Sequence, residues 1–330
     1  TPPPLAVQVF RWFNDPDLTL RFVGAAGAAL QLLLVAGAIL AWNLTERVVM
    51  RLGRRWIAAG GRGGPAPVAR AGAKAAMLAV HALSLAGLVV LAVWSLTGRW
   101  RYPDALPASW GLDTWQRQLD NIWLTGSTTL ICGLAAAAIA LVLTLGCLEN
   151  EQRNQARPTE KALWLLYLPL LVPQVSFLFG AQVLAVRAGL DGTWPALVWS
   201  HLLFVLPYLF LSLADAYRAL DPRYPRAALC LGARPGRVFW RVKLPMLARP
   251  ILFAFAVGFA VSVTQYLPTV FAGAGRFATF TTEAVAQAGG GDRRIAGVFA
   301  LLQALLPLLV FAAAIALPAW LFRNRRDLEG

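Results

Sequence analysis

Charge is scarce in this chain, and acid is scarcer than base. Only 14% of its 330 residues are Asp, Glu, Lys or Arg, against about 25% in an ordinary soluble domain. That shortage excludes a water-facing surface over much of the molecule. Histidine is almost missing: His81 and His201 each stand alone in an apolar stretch, without the partners that metal binding or nucleophilic catalysis needs. Cys132, Cys147 and Cys230 show no metal-ligand spacing, and none lies in a segment expected to face an oxidising compartment. No G-x-x-x-x-G-K-[ST] run occurs, so the chain carries no phosphate loop of its own. A membrane-embedded enzyme would need a nucleophile, a metal cluster or paired carboxylates, and the sequence offers none of these.

What the chain has is apolar length. Hydrophobic residues make up 58% of it, and the mean hydropathy is +0.59. Seven blocks lack any Asp, Glu, Lys or Arg: 22–45, 75–98, 121–148, 162–186, 192–214, 250–275 and 295–322. Each reaches the roughly 20 residues that an α-helix needs to cross the hydrocarbon layer. Seven spanning helices and an all-α integral membrane protein are the direct reading. The net charge of +14 raises nucleic acid as a partner, but its distribution points elsewhere. Alternate segments, 45–75, 149–161, 216–249 and 323–330, hold 21 of the 30 basic residues. Such asymmetry follows the positive-inside rule, placing those segments and the C-terminus in the cytoplasm and making membrane lipid, not nucleic acid, the expected contact.

The two ends of the chain echo one another. "LAVQVFRWFNDPDLTLRFVGAAGAALQ", from Leu5, and "EAVAQAGGGDRRIAGVFALLQ", from Glu283, both read Ala-Val, a polar turn, then a span containing Leu-Gln. The echo is expected if residues 1–48 end a first half, 49–74 form a basic cytoplasmic linker, and 75–330 form a complete second half with six spans. The opening "TPPPLAVQVF" has no initiating Met, so a piece of a longer protein is also expected. In the outer loop after the second span, Trp100, Tyr102, Trp110, Trp115 and nearby Trp123 suit interfacial anchoring.

The segment 216–249 is the most informative. Pro222 and Pro225 interrupt a first helix, and Gly232 stands where a helix C-terminus needs positive φ. Pro235 then opens a second helix at a position where its missing N–H costs nothing. On that helix Val238, Phe239 and Val242 share one stripe, Arg237, Arg241 and Lys243 take the others, and Pro245 ends it. A basic amphipathic loop of this kind also suits anionic lipid headgroups.

The spacing of "RAALCLGARPGRVFWRVKLP", Arg226 to Pro245, resembles the cytoplasmic signature of ATP-binding-cassette (ABC) importer permeases, E-A-A-x3-G-x9-I-x-L-P. Ala227, Ala228, Gly232, Leu244 and Pro245 match in register, and Val242 replaces Ile. Arg226 stands where the signature has Glu, so any ion pair made there elsewhere in the family is absent or reversed. Arg234 stands where a small capping residue is usual. The resemblance covers about 75–330 and is greatest to the fused double permeases of thiamine, ferric-iron and thiamine-like uptake.

That resemblance implies a type I permease fold, with one six-helix half following the last helix of another half. It implies two ABC ATPase subunits, a soluble periplasmic or lipid-anchored substrate-binding protein, and a first half fused upstream in the bacterial inner membrane. ATP and Mg would sit on the ATPase subunits, and this chain would bind no cofactor. The coupling residues would be Arg226, Ala227, Ala228, Gly232, Arg237, Val242, Leu244 and Pro245, with Phe239 and Trp240 as buried anchors at the edge. Gln174, Ser262, Thr264, Gln265 and Tyr266, polar residues next to prolines inside spans, are the candidates for a substrate path. Their alternative use is hydrogen bonding between helices, worth about 0.6 kcal/mol each on average. The competing function is an ion-coupled secondary transporter. Such proteins often carry intramembrane charges, and these span cores have none.

Overall fold

The computed structural model describes residues 3–61, 67–100, 104–105 and 107–321. Part of the expected linker (62–66), Tyr102 and the basic tail lie outside them. Among the described residues every regular element is helical. α1 (Leu5–Phe13) folds back on α2 (Leu20–Ala58), and α3 (Pro67–Leu96) follows. α2 therefore continues well past residue 48: Arg47, Arg51, Arg54 and Arg55 extend it as a basic, solvent-compatible helix. A short α4 (Asp113–Arg117) leads into α5 (Leu119–Asn154), the longest of the described helices after α2.

Two of the seven apolar blocks are not straight spans. Block 162–186 divides into α6 (Glu160–Leu171) and α7 (Gln174–Arg187), which meet at 100° across Val172 and Pro173. Proline disfavours a helical residue before it, which ends α6 there. After α8 (Trp194–Arg218) come α9 (Arg223–Cys230), α10 (Pro235–Val238), a π-helical turn (Phe239–Lys243) and α11 (Leu244–Met246). These reach α12 (Ala248–Val263) through a 76° bend at Leu247, so Pro245 does not end the helix as expected; the chain turns two residues later. Block 250–275 breaks again at Thr264–Tyr266 before α13 (Leu267–Gly273). Among the described residues five helices are long and apolar enough to cross a membrane, or up to seven when each bent pair counts as one span.

The chain closes with α14 (Phe280–Ala288) and α15 (Arg293–Leu321). Here the sequence echo has a structural counterpart, a short helix folded back on a long one. In the first copy Val9 and Phe13 pack over Gly27 and Gly24, where a Cβ on Gly27 would meet Val9 at 2.8 Å. In the second, Phe280 packs on Phe299.

The core lies between α5, α8 and α12, with Ala136, Ala140, Val205, Leu209, Leu213 and Ala254 buried together. Small residues let these helices approach, as membrane packing requires: a Cβ on Gly133 would come within 2.8 Å of Phe259, and one on Gly258 within 3.1 Å of Leu209. At one end, α3, α4 and the start of α15 are joined by Gly98 N–H donating to Ser109 O (2.8 Å) and by Arg294 donating to Gly98 O (3.4 Å). Arg294 also binds Asp292 and, by that hydrogen bond first, holds its carboxyl below the usual carboxylate range. Trp110 and Trp123 are exposed near this end. The ends of α5 and α8 and the loop 216–249 gather at the opposite face.

Candidate functional site

The loop at that face is built from its local sequence. Gly232 has φ of +82°, open to glycine at no steric cost. It ends α9 in a Schellman turn: Ala233 N–H donates to Ala228 O (3.0 Å) and Gly232 N–H to Leu229 O (2.9 Å). Pro235 opens α10, and Arg234 before it makes no capping bond with its side chain. Arg226 and Ala227 are exposed and Ala228 is half-buried. Leu231 is 89% exposed and Trp240 69%, so the loop presents a small-residue face beside large apolar side chains. Phe239 is half-buried against Trp240. Trp240 is thus not an anchor within this chain; Val238 and Leu247 are the buried ones.

Lys243, placed by helical periodicity off the apolar stripe of Val238, Phe239 and Val242, is turned inward in the structure. It is 6% exposed. The cause is the π-helical turn Phe239–Lys243, whose i→i+5 bonding inserts an extra residue and rotates the side chains beyond it. Lys243 Nζ donates to Glu149 Oε2 (2.7 Å) and to Gln152 Oε1 (2.7 Å) on α5. Glu149, 9% exposed, also accepts from Tyr217 of α8 and from Arg153 Nε (2.6 Å). Beside it Arg218 grips Glu151 with two bonds of 2.9 Å. One carboxylate therefore ties the returning end of the loop to the ends of two long helices.

The second feature is a cavity of about 600 Å³ where the two broken spans meet α8. Gln174, Thr264, Gln265 and Tyr266 line it, with Tyr208 and Phe204 from the middle of α8. No Asp, Glu, Lys or Arg is among its lining residues. Gln174 Nε2 lies 3.4 Å from Gln265 Oε1, a bond between residues far apart in sequence that spans both helix breaks. Ser262 does not line the cavity. It is buried behind it, 2.8 Å from His201 Nδ1, while His201 Nε2 meets Thr269 Oγ1 at 3.0 Å. His201, 1% exposed, is thus a clamp joining α8, α12 and α13. Replacing it with leucine removes both of these buried hydrogen bonds and is expected to cost about 1–3 kcal/mol, read as a lower thermal midpoint in detergent. An unchanged midpoint would show that the clamp carries no stability.

No protein-family model matches the chain. It is 35% identical, over 99% of its length, to the inner membrane ABC transporter permease protein YnjC of Escherichia coli K12, and spans 58% of that protein. It is 31% identical over 53% of its length to the molybdenum transport system permease protein ModB of Mycobacterium tuberculosis, covering 70% of it. The putrescine transport system permease protein PotI of E. coli K12 is 26% identical over 44% of the chain, and 54% of PotI is covered. The chain belongs to the ABC transporter permease family.

As a permease of this family it is a multi-pass inner-membrane protein. The structure brings four of the five expected path residues to one cavity and assigns the fifth, Ser262, to packing. Glu149, Gln152, Tyr217 and Lys243 escaped sequence reading as a site. The signal for them was present: Glu149 is the first charge after an apolar block of 28 residues, and Lys243 directly precedes Leu244-Pro245.

Proposed function

We propose that this chain forms the second half of a fused permease in an ATP-driven, binding-protein-dependent importer. Residues 1–48 would close the first half, a reading supported by the matching α1–α2 and α14–α15 arrangements. The observation that carries the function is the loop: a Schellman turn between two short helices, with Leu231 and Trp240 exposed at the basic face of the molecule. A short packed helix transmits rigid-body motion because its contacts resist deformation. Arg226, Ala227, Ala228, Gly232, Arg237, Val242, Leu244 and Pro245 compose that coupling surface, and it seats on one of two ATPase subunits, which hold the ATP and Mg. A soluble or lipid-anchored binding protein delivers cargo at the opposite face. The cargo passes Gln174, Thr264, Gln265 and Tyr266, and the basic loops and C-terminus lie in the cytoplasm. Relatives are named for cargoes as different as molybdenum and putrescine. Specificity therefore resides in the cavity lining and the delivering protein, not in the loop.

The test is affinity purification from native membranes, followed by mass spectrometry of the retained proteins. A stoichiometric soluble partner with a G-x-x-x-x-G-K-[ST] loop is expected. Recovery without any ATPase in mild detergent would overturn this reading in favour of an ion-coupled carrier.

A further inference from the structure

We propose that Lys243 and Glu149 are positioning residues, forming the pin through which the coupling loop drives α5 and thereby the cavity. The proposal rests on the importer reading above. Its first support is geometric. The exposed end of the loop, at Leu231 and Trp240, is free to take a load, whereas its returning end is fixed by Lys243 to Glu149 and Gln152 of α5. Tyr217, donating to the same carboxylate, fixes α8 at that point. Behind the pin, Leu247 is buried among Leu148, Leu213 and Tyr217, so α12 follows the same joint. The helices held at this joint are those that enclose the core, and α8 and α12 carry cavity-lining residues.

The second support is energetic. Desolvating two charges costs several kcal/mol per ion, so an apolar pair of similar shape would hold these helices together at least as well. What an ion pair adds is direction and register. Glu149 receives donors from three sides, and Lys243 reaches it only because the π-helical turn rotates it inward. A single π-helical turn is rare and frequently stands at a functional site.

The experiment uses the assembled transporter in proteoliposomes, with Cys147→Ser and Cys230→Ser removing the exposed thiols and Thr264→Cys reporting from the cavity wall. The probe is a charged, membrane-impermeant thiol reagent, applied with and without ATP and vanadate. In the parent, nucleotide is expected to change the labelling rate about tenfold, as a population shift of the cavity between open and closed would. In Glu149→Gln/Lys243→Met, which removes both charges and leaves neither buried alone, the ATPase subunits still co-purify. The nucleotide effect on labelling should shrink by roughly fivefold. Lys243→Arg, which retains the charge, should keep most of it, whereas a role in folding alone would leave the nucleotide dependence of the double variant intact. An undiminished nucleotide effect in that variant overturns the pin. A labelling rate indifferent to nucleotide in the parent overturns the importer reading instead.

Discussion

Replacing Gly232 with valine is expected to cut recovery of the ATPase subunits with the permease to below about a tenth, the factor that 1.4 kcal/mol gives. The residue sits at φ +82°, where a β-branched side chain is strained by about 1–3 kcal/mol. No atom approaches the position a Cβ would take, so the loss comes from the backbone and not from a clash. Relief of that strain opens the Schellman turn, freeing Ala228 O and Leu229 O and swinging α10 away from α9. The surface that carries Leu231 and Trp240 then loses its shape, while the core between α5, α8 and α12 is untouched. Gly232→Asn, which adopts positive φ more readily, should retain most of the partner. Co-purification at the parent level by the valine variant would show that the turn does not shape the docking surface.

Thr264→Trp is expected to lower cargo uptake, measured with the transporter's own binding protein, by roughly tenfold or more, equivalent to about 1.4 kcal/mol of added barrier. Thr264 lies at the break between α12 and α13, and its neighbours Gln265 and Tyr266 line the same cavity. An indole there occupies space facing Gln174 and Tyr208 without touching the coupling loop at the far end of α8. Association with the ATPase should therefore be unchanged, the reverse of the pattern for Gly232→Val. Undiminished uptake would exclude this cavity as the path.

These two sites differ in how far sequence alone revealed them. The loop was legible because its determinants are local: Gly232 and Pro235 act on their own backbone, and each does in the structure what its chemistry requires. The all-α membrane class was equally legible, since apolar length is summed along the chain. The interior of the spans was less so. Blocks 162–186 and 250–275 read as single straight helices because hydropathy ignores direction, although Pro173 and Pro268 stand beside the breaks. The meeting of Gln174 with Gln265, and of His201 with Ser262 and Thr269, depends on helices separated by many residues. Lys243 was misplaced for another reason. A stripe drawn at 3.6 residues per turn fails beyond one π-helical turn, and nothing in "FWRVK" announces that turn.

The length of α5 sets the scale of what such a machine can do. The helix runs from Leu119 to Asn154 without a break, about 54 Å at 1.5 Å per residue. In the N-terminal third of the helix, Thr129 Oγ1 accepts the first N–H of α14, from Phe280, at 3.1 Å. A straight rod of that length pivoting at one end by about 5° sweeps its other end through about 5 Å, close to one helical turn. On the coupling proposed above, a displacement at Glu149 too small to disturb the packing there would become, at the far end of the helix, an excursion the size of a small solute.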